Sequence, residues 1–187
     1  SRKVEAGDVF VALVGEQFDG HDYVADVLAK GVAAVIVSRE VVAGDACQIV
    51  VADTLAALGQ IAQAWRLKWN PKIVALTGSN GKTTVKEMCA AILREAVGED
   101  AVLATAGNFN NEIGMPLTLL RLQAAHKVAV LEMGMNHFGE LARLTQIAQP
   151  DVALVNNASR AHIGNDFNGV ADIARAKSEI YAGLNPN

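Results

Sequence analysis

Leu76-Thr77-Gly78-Ser79-Asn80-Gly81-Lys82-Thr83-Thr84 decides how this chain is read. The apolar run Ile73-Val74-Ala75-Leu76 precedes it, and a helical pattern begins near Val85. Strand, glycine-rich turn and helix in that order make a phosphate cradle. Glycines let backbone N–H groups converge on an anion, and the helix N-terminus adds its positive dipole end. In such a cradle Lys82 reaches the β- and γ-phosphates and the Thr83 hydroxyl sits on Mg²⁺. The match to the general pattern is incomplete, because Leu76 stands where a glycine is wanted five residues before Gly81. The plainer alternative is a glycine-rich turn with a helix cap.

Working outward, the segment 127–131 reads as a strand that delivers Glu132 at its C-terminal end. Ligands of open α/β sheets bind at that edge, so a carboxylate there suits metal or base chemistry as well as a plain solvated end. Between the loop and Glu132 lies Thr105 to Pro116, with Asn108, Asn110 and Asn111 bracketed by Gly107 and Gly114. Clustered asparagines are costly in a helix or strand, but they serve a turn-rich surface or a polar ligand equally well. His162 follows a strand over 151–155. A lone histidine is more often structural, yet this one shares an edge with Lys82 and Glu132. Lys177 interrupts the stripe Ile173, Ala176, Ile180, Leu184 of a helix over 170–184. It either snorkels or points into a site. The helix after Lys82 is expected to bury Val85, Met88, Cys89, Ile92 and Leu93.

Upstream, residues 9–14 read as a buried strand, followed by a polar loop with Asp22 as helix N-cap. A helix from 23 to about 30 stops at Gly31, and strands follow over 33–37 and 47–51. Asp53 or Thr54 then caps a helix with Leu55, Leu58, Ile61, Ala62 and Trp65 on one face. Trp69-Asn70-Pro71 ends it, since proline cannot continue a helix. The expected division is therefore 1–70, a small N-terminal α/β domain, and 71–187, a P-loop-type, mostly parallel sheet flanked by helices.

Composition agrees with an α/β fold: 51% of residues are hydrophobic but only 5% aromatic. Such a balance suits buried parallel strands covered by helices. A net charge of −4 without a basic stretch argues against nucleic acid as partner. Cys47 and Cys89 have no neighbours at metal-ligand spacing and read as buried, reduced thiols. No apolar run is long enough for a bilayer, and no signal peptide is evident, so a cytoplasmic location is expected. The opening Ser1-Arg2-Lys3 and the ending Leu184-Asn185-Pro186-Asn187 read as the ends of a piece of something longer.

Four stretches resemble the ATP-dependent Mur ligase family of peptidoglycan synthesis: Val4 to Leu13 with Asp19-Gly20-His21-Asp22, Thr77 to Thr84, Asn108 to Pro116, and Glu132 to Glu140 with His162 and Lys177 behind it. The family's shortened phosphate loop lacks the first glycine, which accounts for Leu76. The two stretches after the loop, Asn108 to Pro116 and Glu132 to Glu140, point to the branch that adds D-alanyl-D-alanine to UDP-N-acetylmuramoyl-tripeptide. The resemblance implies a UDP-sugar-binding N-terminal domain and a central ATP-binding domain, both incomplete. It implies ATP, two Mg²⁺ ions and an acyl phosphate attacked by the amine of D-alanyl-D-alanine. By resemblance, Lys82, His162 and Lys177 are catalytic. Gly78, Ser79, Asn80, Gly81, Lys82, Thr83, Thr84, Asn110 and Asn111 bind the nucleotide. Thr83 and Glu132 hold one metal, and His162 and Lys177 the second. Since an ammonium cannot ligate a metal, the family's carbamylated lysine is expected at Lys177. Ser1 and Arg2 are expected near the uridine end, the protein is expected to be a monomer, and the isolated chain is not expected to complete ligation. The rivals are another Mur or folylpolyglutamate-type ligase, a small-metabolite P-loop NTPase or kinase, and a non-catalytic nucleotide-binding module.

Overall fold

The computed structural model describes residues 4–15, 17–41, 47–160 and 166–185. The chain divides into two compact units, Ser1–Leu58 and Gly59–Asn187, a division that falls inside a helix.

The first unit holds a parallel sheet of order β1 (Val9–Val11), β2 (Ala34–Val37), β3 (Gln48–Val50). All four residues of β2 are buried, as expected of a central strand covered on both faces. Val35 and Val37 pack with Ala12 and with Val24 and Val27 of α1 (Val24–Leu28). A 3-10 turn over Gly20–Tyr23 precedes α1, and its cap is Asp19, not Asp22, because the Asp19 carboxylate accepts the His21 N–H. Gly31 ends the helical region at φ 81°, the left-handed conformation a glycine adopts without a Cβ penalty. Cys47 is exposed and Cys89 half-buried, so neither thiol is the fully buried one expected.

Helix α2 (Thr54–Trp69) is capped by Asp53, whose Oδ1 accepts the Leu55 and Ala56 N–H groups. The expected stripe is corrected at Ile61, which is 40% exposed. The buried position one turn on from Ala62 belongs instead to Arg66, which donates to the Ala148 and Gln149 carbonyls and to Asn70 Oδ1. Burial lowers the pKa of that guanidinium from its usual value.

The second unit is a four-stranded parallel sheet of order β5 (Val102–Ala104), β6 (Val128–Glu132), β4 (Lys72–Thr77), β7 (Val152–Val155). Helices α3 (Lys82–Val97), α4 (Gly114–Leu119) and α5 (Glu140–Ala148) make the crossovers, and α6 (Val170–Ser178) follows β7. Strand order reverses around β4, since β5 and β6 lie on one side of it and β7 on the other. The loop after β4 is thereby placed at a switch point, the usual ligand crevice of such sheets. Ile73, Ala129, Leu131, Leu141, Leu144 and Ile173 form the main core. Burying each of the larger aliphatic side chains contributes roughly 1.5–3 kcal/mol.

Two expected stripes are corrected here. On α3, Met88 and Ile92 are 59% and 67% exposed, while Val85, Cys89 and Leu93 face β4 and β6. The buried place near the start of the helix is taken by Lys86, which donates to the Thr105 carbonyl at 2.7 Å and pairs with Glu87 at 2.6 Å. α6 stops at Ser178 and a 3-10 turn follows; Ile173 and Ala176 on the helix and Ile180 in the turn are buried as expected, Lys177 is buried with them, and Leu184 is largely out of the core.

Candidate active site

The loop Gly78 to Gly81 links β4 to α3, so strand, turn and helix follow in the expected order. Gly81 is left-handed at φ 73°. No side chain caps α3. Its first-turn N–H groups are therefore available to an anion, and the helix dipole favours one there. Lys82 lies back across the loop, its Nζ donating to the Gly78 carbonyl at 2.9 Å. An ammonium so held is within reach of any phosphate the loop amides receive.

Register explains why Glu132 faces this loop. Leu76 pairs with Glu132 across β4 and β6, so the last residue of β6 ends beside the first residues of the turn. The Glu132 side chain is buried, and both carboxylate oxygens are engaged. Thr83 Oγ1 donates to Oε2 at 2.9 Å, and Asn110 Nδ2 donates to Oε1 at 2.7 Å. Its backbone N–H donates to Thr105 Oγ1 at 3.0 Å. Thr83 and Glu132 thus present a hydroxyl and a carboxylate at one point beside the phosphate loop. Hard oxygens of this kind, with phosphate oxygens and waters completing the shell, fit Mg²⁺. Among the described residues no group of three His, Cys, Asp or Glu side chains converges for a metal.

The asparagine-rich loop splits its duties. Asn110 reaches Glu132, and its carbonyl accepts the Gly134 N–H at 2.7 Å. Asn111 turns the other way: its Oδ1 accepts the Ile113 and Gly114 N–H groups where the chain enters α4. The structure therefore brings Asn110, and not Asn111, to Glu132. Gly114 is needed because a Cβ there would lie 2.4 Å from Phe109 Cα.

Lys177 is 2% exposed on α6, with no hydrogen-bond or ion-pair partner among the described residues. Burial, and secondarily the charge of Lys82, lower its pKa from 10.5 to about 8. Close by in sequence, Glu179 accepts the Gly139 N–H through both oxygens, at 3.0 and 2.8 Å, fastening the end of α6 to the loop before α5. In that loop His137 contacts Asp166 at 2.7 Å, which raises the histidine's pKa. His162, Ser1 and Arg2 lie outside the described residues.

Sequence reasoning missed the partners of the loop. Asn156, Asn157 and Ser159, beyond β7, hydrogen-bond to Ser79 and Asn80. The available signal was two asparagines directly after a strand, which become relevant once β7 is known to lie beside β4.

Comparison with known proteins bears on the whole arrangement. The family described as "Mur ligase family, catalytic domain" matches residues 1–66, and "Mur ligase middle domain" matches residues 76–187. The UDP-N-acetylmuramoyl-tripeptide--D-alanyl-D-alanine ligase of Haemophilus influenzae is 48% identical over all of this chain and 41% of its own length. The Escherichia coli enzyme of the same name is 46% identical over all of this chain and 40% of its own. A crystal structure of MurF from Acinetobacter baumannii superposes with a TM-score of 0.93 at 46% identity, covering 99% of this chain and 40% of that one. MurF ligase from Thermotoga maritima, in complex with ADP, superposes with a TM-score of 0.90 at 35% identity, covering 100% and 42%. The chain thus spans about 40% of the length of the curated relatives it matches.

Proposed function

The chain belongs to the Mur ligase family, and on that premise we propose that it serves the ATP-dependent ligase that joins D-alanyl-D-alanine to UDP-N-acetylmuramoyl-tripeptide. The observation that carries this reading is the Glu132 carboxylate, held between the Thr83 hydroxyl and the Asn110 amide at the mouth of the phosphate loop. The names of its 48% and 46% identical relatives support the choice of substrates.

The chemistry follows from a poor electrophile. A carboxylate resists attack by an amine, and phosphorylation by ATP gives it a leaving group. Lys82 and the N–H groups that open α3 counter the charge on the transferring phosphoryl, which is where such catalysis lies. Thr83 and Glu132 would hold Mg²⁺, which when bound neutralises charge on the β- and γ-phosphates. Asn110 orients the carboxylate of Glu132, and Thr105 anchors its backbone.

Lys177 takes a carbamate in this proposal. At pH 7.5 a lysine of pKa about 8 is roughly one-quarter neutral, against roughly one part in a thousand at the ordinary value. Only the neutral amine adds CO₂, so burial prepares this lysine for the reaction. With His162 the carbamate would supply a second set of donors. Residues 1–70 serve the UDP-sugar and 71–187 the nucleotide, in a monomeric cytoplasmic enzyme. No helix among the described residues is long and apolar enough to cross a membrane.

Phosphate release by the full-length protein tests the reading. Release is expected only when UDP-N-acetylmuramoyl-tripeptide and D-alanyl-D-alanine are added together with ATP. Equal release with ATP alone would assign the chain to the simple NTPases.

A further inference from the structure

The segment beyond β7 grips the phosphate loop at one peptide. The Asn80 carbonyl accepts two side-chain amides, Asn156 Nδ2 and Asn157 Nδ2, each at 2.9 Å. The same Asn157 carboxamide accepts the Asn80 N–H at 3.1 Å, so one side chain brackets residue 80 on both sides. Around it, the Ser79 N–H donates to the Asn157 carbonyl, the Ser159 N–H donates to Ser79 Oγ, and Asn80 Nδ2 donates to Ser159 Oγ. Asn156 also lies against Gly81, where a Cβ would stand 3.0 Å from its Nδ2.

These bonds settle a direction. The Asn80–Gly81 peptide is trans, so its C=O and the Gly81 N–H point oppositely. With the carbonyl turned towards Asn156 and Asn157, the Gly81 N–H faces away from them, and it has no partner among the described residues. Glycine at position 81 makes the opposite orientation accessible, because it adopts positive and negative φ with similar ease. Nothing in residue 81 itself selects one orientation. Two hydrogen bonds of ordinary strength bias the choice by about 10- to 100-fold. In the other orientation the loop would present a carbonyl oxygen, not a donor, on that side.

We propose that Asn156 and Asn157 are positioning residues that clamp the Asn80–Gly81 peptide so that the Gly81 N–H is presented to a nucleotide phosphate. This rests on the phosphate-binding reading of the loop. The two asparagines touch the loop backbone and act on the ligand through it.

The test uses the 187-residue chain, with the neutral replacements Asn156→Ala and Asn157→Leu singly and together, so that no new charge repels the ligand. The first readout is the Gly81 ¹⁵N–¹H residual dipolar coupling without ligand. It should match the clamped peptide in the wild type and depart from it in the double variant, while couplings in β4 and β6 stay unchanged. The second is affinity for ADP with Mg²⁺, expected to fall at least tenfold in the double variant. An unchanged Gly81 coupling overturns the clamp. A changed coupling with ADP affinity within twofold of wild type overturns its role in phosphate binding. If the wild-type chain binds no ADP but the coupling responds as stated, the clamp is supported and the phosphate reading fails.

Discussion

Lys177→Met should stabilise the second unit, by an amount that depends on pH in a defined way. The lysine is almost fully buried without a described partner, and its pKa is lowered from 10.5 to about 8, chiefly by burial and then by Lys82. At pH 7 the folded chain carries an ammonium that would rather be in water, and the shift corresponds to a cost of about 3 kcal/mol. Methionine fills a similar volume without the charge, so most of that cost should be recovered. Between pH 8 and pH 10.5 the unfolded chain holds a proton that the folded wild type has released. Wild-type stability therefore rises with pH relative to the variant, and the advantage of methionine falls to about 1 kcal/mol by pH 9.5. Urea unfolding in degassed, bicarbonate-free buffer gives the measurement. The two tryptophans of the chain, Trp65 and Trp69, both lie in the second unit, so their fluorescence reports the unit that contains Lys177. A stability difference that is flat from pH 7 to pH 9.5, or a less stable variant at pH 7, would refute the reasoning.

Other expectations follow from single contacts. Arg66→Ala removes the donor to the Ala148 and Gln149 carbonyls and to Asn70, and should cost about 3 kcal/mol in urea unfolding. Gly114→Ala places a Cβ 2.4 Å from Phe109 Cα; it should cost about 2 kcal/mol or more and weaken Mg²⁺-dependent ADP binding in titration calorimetry, since the displaced loop carries Asn110. If Lys177 is carbamylated, ¹³C-bicarbonate should give the wild type a carbamate resonance that Lys177→Ala lacks, and a wild type without that resonance ends the assignment.

The alternation of strands and helices was legible because parallel strands read as unbroken apolar runs and glycines mark the turns between elements. The placement of Thr83 and Glu132 was legible for a related reason, since each sits at an element end defined by local sequence, whereas their pairing was an expectation from the family resemblance. Which stripe of a helix is buried was harder to read. Met88 and Ile92 have the right spacing but face outward, because Lys86 can occupy the buried position once the Thr105 carbonyl and Glu87 satisfy its charge. Arg66 took a core position in α2 by the same means. Asn110 and Asn111 are adjacent and chemically alike, and only the backbone leading into α4 separates the one that holds Glu132 from the one that accepts the Gly114 N–H. The grip of Asn156 and Asn157 on residue 80 depends on β7 lying beside β4, a pairing between distant segments that no local pattern reveals.

The central claim, a carboxylate activated as an acyl phosphate at the Lys82–Glu132 site, is tested most directly by isotope transfer. The full-length protein would be given ATP, D-alanyl-D-alanine and UDP-N-acetylmuramoyl-tripeptide carrying ¹⁸O in its terminal carboxylate. Transfer of one ¹⁸O to each inorganic phosphate released is the predicted result, because the carboxylate oxygen that takes the phosphoryl group leaves with it. Unlabelled phosphate, formed at the same rate as product, would contradict the account.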